Sequence, residues 1–488
     1  MQYENKNFSS ISNELKAGKL ISAFTNDALG TMDAVAVAEA IAKNNITVAE
    51  ATEAAISRAE KVNSELNAIA LKTYDDARRY NKLVKGGDLY GVPAFIKDND
   101  NIRGYPAQLG TGAFRAVKAK RHSHYVNQFL STGVNYLGKS TLPEFGLICS
   151  TENERWGITR NPWNTGYTTG GSSSGSAALV ASGVVPIATA NDGAGSIRIP
   201  AACCGLVGLK PSRKRLMAMD GTQLLPLQIV HEGVITRTVR DTAAFYAAAE
   251  KFYHHPSLPI LGHIKNAAKQ RLRIVFFENP AGNKIGHQDD DTYRTQMETA
   301  KLLQSLGHHV EQIPVPIDID SMSGHYLNYY GFLAYLLSHW GKVVLQATVD
   351  QGQLEPFTIG LGRQFKMNAL KMPGSIRLLR KTGKYAEQLF EKFDLIMNPV
   401  VSHKTPQIGY FSTQLPYEEI SHRAVEYASY TALQNVTGSP AISLPLGVSE
   451  EGMPLGVQFT APYGLDKRLL EIAYELEDAK PWRFIYNI

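Results

Sequence analysis

The chain has 488 residues, 44% of them hydrophobic and 19% charged, which is ordinary globular usage and excludes a mainly disordered or fibrous protein. Fifty Lys and Arg against 45 Asp and Glu leave a net charge of +5, too thinly spread to argue for a nucleic-acid partner. Three cysteines, Cys149, Cys203 and Cys204, make an odd and sparse set that argues against a disulfide framework and fits a reducing compartment.

Residues 1–32 are polar and irregular and lack the apolar core of a signal peptide. The longest weakly polar run, Ala177 to Ala190, is too short and too broken by Gly and Pro to span a bilayer. A soluble, cytoplasmic protein is therefore expected. Asp33 is placed to cap a helix beginning at Ala34. Thr47 and Glu50 form a capping box for the helix that follows. LYGVPAFIKDND, from Leu89, reads as a turn, a short buried strand and a charged exit. VNQFLSTG, from Val126, reads as a helix end, and the strand VNYLGKS follows it.

From Trp156 to Pro211 Gly, Ser, Thr, Ala and Asn dominate. A flexible linker is one reading of such composition. The run from Gly170 to Asp192 argues against it, because it flows directly into a small-residue helix and then a strand. Residues from roughly 240 to 390 read as mostly helical: RDTAAFYAAAEKF, a strand RLRIVFF, then helices over QMETAKLLQSLGHHV and YLNYYGFLAYLLSHWGKVVL. After Phe393 short apolar strands return in DLIMNPV, PAISLPLG and GVQFTAP, and DKRLLEIAYELED closes the chain as a helix. The pattern predicts an α/β fold with one mixed sheet completed by the C-terminal segment.

Gly133 to Ser140 reads GVNYLGKS, a formal match to a phosphate-binding loop. Its middle residues, Val134 to Leu137, read instead as a strand, so a nucleotide site is not expected. His122 with His124, and His308 with His309, lack a third ligand at metal spacing and read as solvated surface groups. Neither a metal nor a cofactor is expected.

Three segments carry chemistry together. GVPAFIKDND places Lys97 at a strand end, GGSSSGS holds Ser172, Ser173 and Ser174, and NDGAGSIRIPA sets Ser196 beside Gly193 and Gly195, with Arg198 after it. Taken singly, Lys97 could be a solvated lysine, Ser172 a helix cap, and GAGS a tight turn. Together they suggest a nucleophile site without histidine. A serine needs a base to take its proton, a desolvated lysine can be neutral enough to serve, and a second serine can relay between them. Amides of a Gly-rich turn can then hold an oxyanion.

These motifs closely resemble the amidase signature family. Its pattern is a lysine in a PxxxKD segment, a GGSSGG-type loop, and a DxxGSxRxP segment 24 residues beyond the loop serine. Here Ser172 to Ser196 is 24 positions and Lys97 to Ser172 is 75. GLVGLKPS from Gly205, GVITRTVRD from Gly233, and NVTGSPAISLPLG with GMPLGVQF near the C-terminus extend the match over roughly 33–477.

The resemblance implies a large mixed central sheet covered by helices on both faces. It implies an irregular segment 1–32 and a single amidase domain over 33–488. Within it lie a signature core at about 85–245, a helical middle at about 246–390, and C-terminal strands and helix at 391–488. It further implies Ser196 as nucleophile, Ser172 as bridging serine after a cis peptide bond, and Lys97 as general base. Gly193, Ala194 and Gly195 would supply oxyanion-hole amides, and Asp192, Arg198 and Ser173 would brace them.

The activity implied is hydrolysis of a small linear or cyclic amide through an acyl-enzyme. The alternative is a glutaminase resembling the glutamine-hydrolysing component of the tRNA amidotransferase, which works in a complex. Departures from the common pattern are Ser174 where Gly is usual, DGAGS in place of DTGGS, and KPSRKRLMAMDG after the signature. They point away from the amidotransferase. WGITRNPWN, NDGAGSIRIPA and HEGVITRTVRD look more like the branch that contains 6-aminohexanoate cyclic dimer hydrolase. The expected partner is a small-molecule amide, with no nucleic acid and no membrane, and a homodimer is left open. The aromatic stripe Tyr326, Tyr329, Tyr330, Phe332 and Tyr335 could line an acyl pocket, although core packing is the commoner meaning of such spacing. TPQIGYF, from Thr405, is expected as a lid loop.

Overall fold

The structure, a computed structural model, describes residues 18–79, 83–153, 156–280, 285–316 and 318–487. Of the N-terminal segment expected to be irregular, residues 1–17 lie outside the described residues, and 18–33 contain no helix or strand. The local signals read from the sequence then operate as expected. The Asp33 carboxylate accepts from the Ala36 amide at 2.9 Å and starts the helix Ala34–Ala42. Thr47 and Glu50 satisfy each other's backbone N–H groups, and the helix Val48–Leu66 follows.

Eleven strands form one sheet: β1 Ile69–Lys72, β2 Pro93–Lys97, β3 Asn135–Ser140, β4 Ile187–Asp192, β5 Val207–Lys210, β6 His231–Thr236, β7 Arg273–Phe277, β8 His309–Ile313, β9 Leu395–Pro399, β10 Ala441–Val448 and β11 Pro454–Thr460. Their spatial order is β1-β3-β2-β4-β6-β5-β10-β11-β9-β7-β8. The sheet is mixed. β2 runs parallel to β3 and β4, β7 runs parallel to β8 and β9, and the other pairs are antiparallel. Helices flank it. β2 and β4 are buried at every position, which is why they read as continuous apolar runs.

The strand reading of GVNYLGKS is correct: Asn135–Ser140 is β3, wholly buried, and no phosphate-binding loop forms there. The middle region departs from expectation at two places. The helix expected to run on to Leu345 ends at His339, and a separate short turn of helix follows over Gly341–Val344. The helix expected over QMETAKLLQSLGHHV ends at Ser305, and His309–Ile313 forms the edge strand β8. Gly307 takes φ +90°, a left-handed angle that stops the helix and turns the chain into the sheet.

The topology sets the site. β2 and β4 are parallel neighbours, so Lys97 and Asp192, their last residues, emerge at the same edge. β6 is antiparallel to β4, with His231 opposite Asp192 and Glu232 opposite Asn191, so its first residues arrive at that edge too. The helix Ser174–Ala181, buried throughout, packs against β4 and brings the serine loop to the same place.

Candidate active site

Lys97 is 1% exposed, and its side-chain nitrogen reaches three oxygens. Nζ lies 2.8 Å from Ser172 Oγ, 3.0 Å from Ser173 Oγ and 2.6 Å from Asn191 Oδ1. The Thr189 hydroxyl accepts from the Lys97 amide at 2.8 Å and fixes the strand end. Burial pushes the Lys97 pKa down to about 7, against the opposing pull of Glu232, Asp100 and Asp192.

The contacts suit a neutral amine. Asn191 Oδ1 can only accept. The Ser173 hydroxyl points its own hydrogen at the Asn191 carbonyl, 3.4 Å away, so it too receives from Nζ. Those bonds use both N–H groups of a neutral lysine and leave its lone pair for Ser172. The Gly171–Ser172 peptide is cis. Ser174, where the signature usually has Gly, is satisfied locally: its hydroxyl donates to the Gly170 carbonyl at 2.7 Å and receives from Thr151 at 2.7 Å.

The loop after β4 is held from behind. The Asp192 carbonyl accepts from Asn435 Nδ2 at 2.7 Å, the Ala194 carbonyl accepts from Thr431 Oγ1 at 2.6 Å, and the Gly193 carbonyl accepts from the Tyr326 hydroxyl. In a trans peptide the N–H points opposite to the C=O. Anchoring these carbonyls therefore turns the amides of Gly193, Ala194 and Gly195 the other way. The Gly195 amide is already committed to Asp192 Oδ1 at 2.7 Å. The amides of Gly193 and Ala194 have no hydrogen-bond partner among the described residues. Gly195 has φ +121°, and a Cβ there would stand 2.5 Å from Thr431 Oγ1, so the position demands glycine.

Asp192 and Arg198 are both fully buried. Two parallel bonds of 2.9 and 2.8 Å join them, and Gln434, Gln458, Asn435 and the Thr431 carbonyl satisfy the rest of the guanidinium. Burial alone would raise the Asp192 carboxyl. The Arg198 charge wins and holds it well below the usual range. Asn435, Thr431 and Gln434 belong to the segment around the short helix Ala432–Thr437. Reading the sequence missed their part, because the NVTGS segment offers no reacting group. Asn191 was missed for the same reason.

Ser196 is 7% exposed and lines a pocket together with Gly171 and Ala194. Among the described residues no hydrogen bond joins Ser196 to Ser172. The pocket, of about 90 Å³, is walled by Leu147, Ile148, Tyr326, Leu327, Tyr330 and Val425 among others, and no lining residue is charged. The aromatic stripe is thus divided. Tyr326 and Tyr330 line the pocket, Tyr329 bonds the Leu227 carbonyl at 2.7 Å, and Phe332 and Tyr335 pack on Phe365.

The segment from Thr405 is not a free lid. Thr168 donates to the Pro406 carbonyl at 3.1 Å, Ile408 donates to the Gly166 carbonyl at 3.0 Å, and Phe411 is 1% exposed. The histidines stay out of the site. His124 pairs with Asp220, and His122 accepts from the Arg103 amide. Among the described residues no cluster of metal-binding side chains occurs, and no helix is long and apolar enough to cross a membrane.

Comparison with known proteins identifies the family. The Amidase family matches residues 50–470. The "Putative amidase AmiC" of Mycobacterium leprae (strain TN) is 43% identical over 462 residues, covering 95% of this chain and 98% of that protein. The 6-aminohexanoate-cyclic-dimer hydrolase of Pseudomonas sp. (strain NK87) is 33% identical, covering 92% and 95%. The solved structure of a 6-aminohexanoate cyclic dimer hydrolase with its substrate superposes with a TM-score of 0.83 at 30% identity, covering 92% of this chain and 97% of that one. The chain belongs to the amidase family and is an amide-hydrolysing enzyme.

Proposed function

From membership of the amidase family, we propose that this chain cleaves small uncharged amides with an apolar acyl half, through an acyl-enzyme on Ser196. The observation that carries this reading is the buried Lys97–Ser172 contact of 2.8 Å, set beside a charge-free pocket that Ser196 lines. Neutral Lys97 takes the Ser172 proton as Ser172 takes that of Ser196. Ser196 attacks the carbonyl carbon. The Gly193 and Ala194 amides receive the oxyanion, while Gly195 holds the loop through Asp192. The proton returns through Ser172 to the departing nitrogen. Water then releases the acid by the same relay.

The pocket's apolar wall favours an aliphatic or aromatic acyl group over a charged one. A cyclic or linear 6-aminohexanoate dimer is a substrate to test, because the relatives with that name are similar along nearly the whole chain. The test is hydrolysis of those dimers, short aliphatic amides and aryl amides by the native protein and by Ser196→Ala. Loss of turnover in a folded Ser196→Ala protein is expected. Substantial residual turnover would overturn the mechanism.

A further inference from the structure

The segments Lys210 to Gly221 and His231 to Asp241 stood out in the sequence but take no part in the relay. They meet in a second cavity, of about 360 Å³, beside the nucleophile loop. Val230 on its wall would lie 3.6 Å from a Cβ placed on Gly193. On its lining stand two buried side chains with unused polar atoms.

His231 is 5% exposed. Its Nδ1 lies 2.9 Å from the Ile229 carbonyl, which can only accept, so Nδ1 carries the hydrogen. Nε2 is left as an acceptor and has no partner among the described residues. Glu232 is 2% exposed and faces Asn191 across the β4–β6 ladder; the Asn191 side chain bears on its carboxyl, yet among the described residues neither carboxyl oxygen makes a close, well-aligned hydrogen bond. Burial, then Asp100, pushes this carboxyl well up, and burial holds the His231 ring neutral. Unmet polar atoms of this kind are costly unless something enters to meet them. Asn191, opposite Glu232, is also the group that holds Lys97. The cavity therefore adjoins the catalytic edge on its polar side, whereas the pocket lined by Ser196 is apolar.

We propose that this cavity receives the amine half of the substrate and selects amines carrying an uncharged second hydrogen-bonding head, a hydroxyl group, beyond the scissile nitrogen. Such a head both donates and accepts. It meets His231 Nε2 as a donor and the Glu232 carboxyl in either sense. The proposal rests on the Ser196 reading above and adds a direction to it: apolar acyl on one side, polar amine on the other.

The test uses N-butyryl amides of butylamine, 4-aminobutanol and 5-aminopentanol, with p-nitrophenyl butyrate as an ester of the same acyl group. In the native enzyme kcat/KM for the two polar amides should exceed that for the butyl amide at least ten-fold. Glu232→Met should collapse that preference to less than about three-fold, and Glu232→Gln, which keeps a donor and an acceptor, should retain it. Gln223→Trp, entering from the exposed rim, should lower the polar amides relative to the ester even if Glu232→Met does not fold. Calorimetry on the Ser196→Ala protein should show the 4-aminobutanol amide binding at least ten-fold tighter than the butyl amide, a readout that does not need turnover. Equal kcat/KM or equal binding across the amides would overturn the proposal, as would a Glu232→Met loss shared equally by the ester. Turnover retained by Ser196→Ala would instead break the underlying mechanism.

Discussion

Replacing Asn191 by Asp tests the state of Lys97 with almost no change of shape. Asn191 Oδ1 sits 2.6 Å from Nζ, so the variant places a carboxylate against the amine. An opposite charge this close favours the ammonium form and raises a lysine pKa by about 1–3 units. Burial brings the native Lys97 amine down to about 7, so kcat/KM is expected to rise with pH through that value as Lys97 loses its proton. A shift of about 2 units moves the rise to near 9 and, because half of the native amine is already neutral at pH 7, lowers kcat/KM there by about 50-fold, which is about 2.3 kcal/mol.

Activity should then recover as the pH is taken to about 10. The assay is kcat/KM against pH for one cleaved amide, native against variant. Stability gives an independent sign. A lysine held below its unfolded value leaves the folded state with fewer bound protons, so native stability should climb between about pH 7 and 10. The variant should show a flatter climb. A loss of activity that is the same at every pH, with the rise still near 7, would refute the assignment of Lys97 as a neutral base.

Two further predictions concern the support of the loop. Tyr326→Phe removes the hydroxyl that holds the Gly193 carbonyl, so kcat should fall by about ten-fold or more with KM little changed, because the loss falls on the oxyanion; an unchanged kcat in steady-state kinetics would exclude the role. Arg198→Met leaves Asp192 charged and unpaired in a fully buried position, which should cost about 3–5 kcal/mol in denaturant unfolding. A cost below about 1 kcal/mol would mean that Asp192 finds water or another cation.

The comparison of sequence with structure divides along the range of the interactions. Helix starts at Asp33 and Thr47 were legible because each depends on a side chain and an amide three residues away. The buried strand ending at Lys97 and the serine loop opening a helix were legible for the same reason, since apolar runs and small residues act locally. β8 was not legible, because one glycine angle at Gly307 and pairing with β7 decided it against a helical pattern.

In the same way, the order of Lys97, Ser172 and Ser196 along the chain pointed to the chemistry. It did not show Asn191 as the third partner of the amine, Gly195 as an amide spent on Asp192, or Tyr326, Thr431 and Asn435 as the groups that aim the loop. Tyr326, Thr431 and Asn435 lie 133, 237 and 243 positions from their partners. Residue identity and spacing determined which groups can react. Only the folding of β2, β4 and the segment after Thr431 onto one edge decided which loop amides are left without a protein partner, because backbone direction is set by contacts that no local pattern encodes.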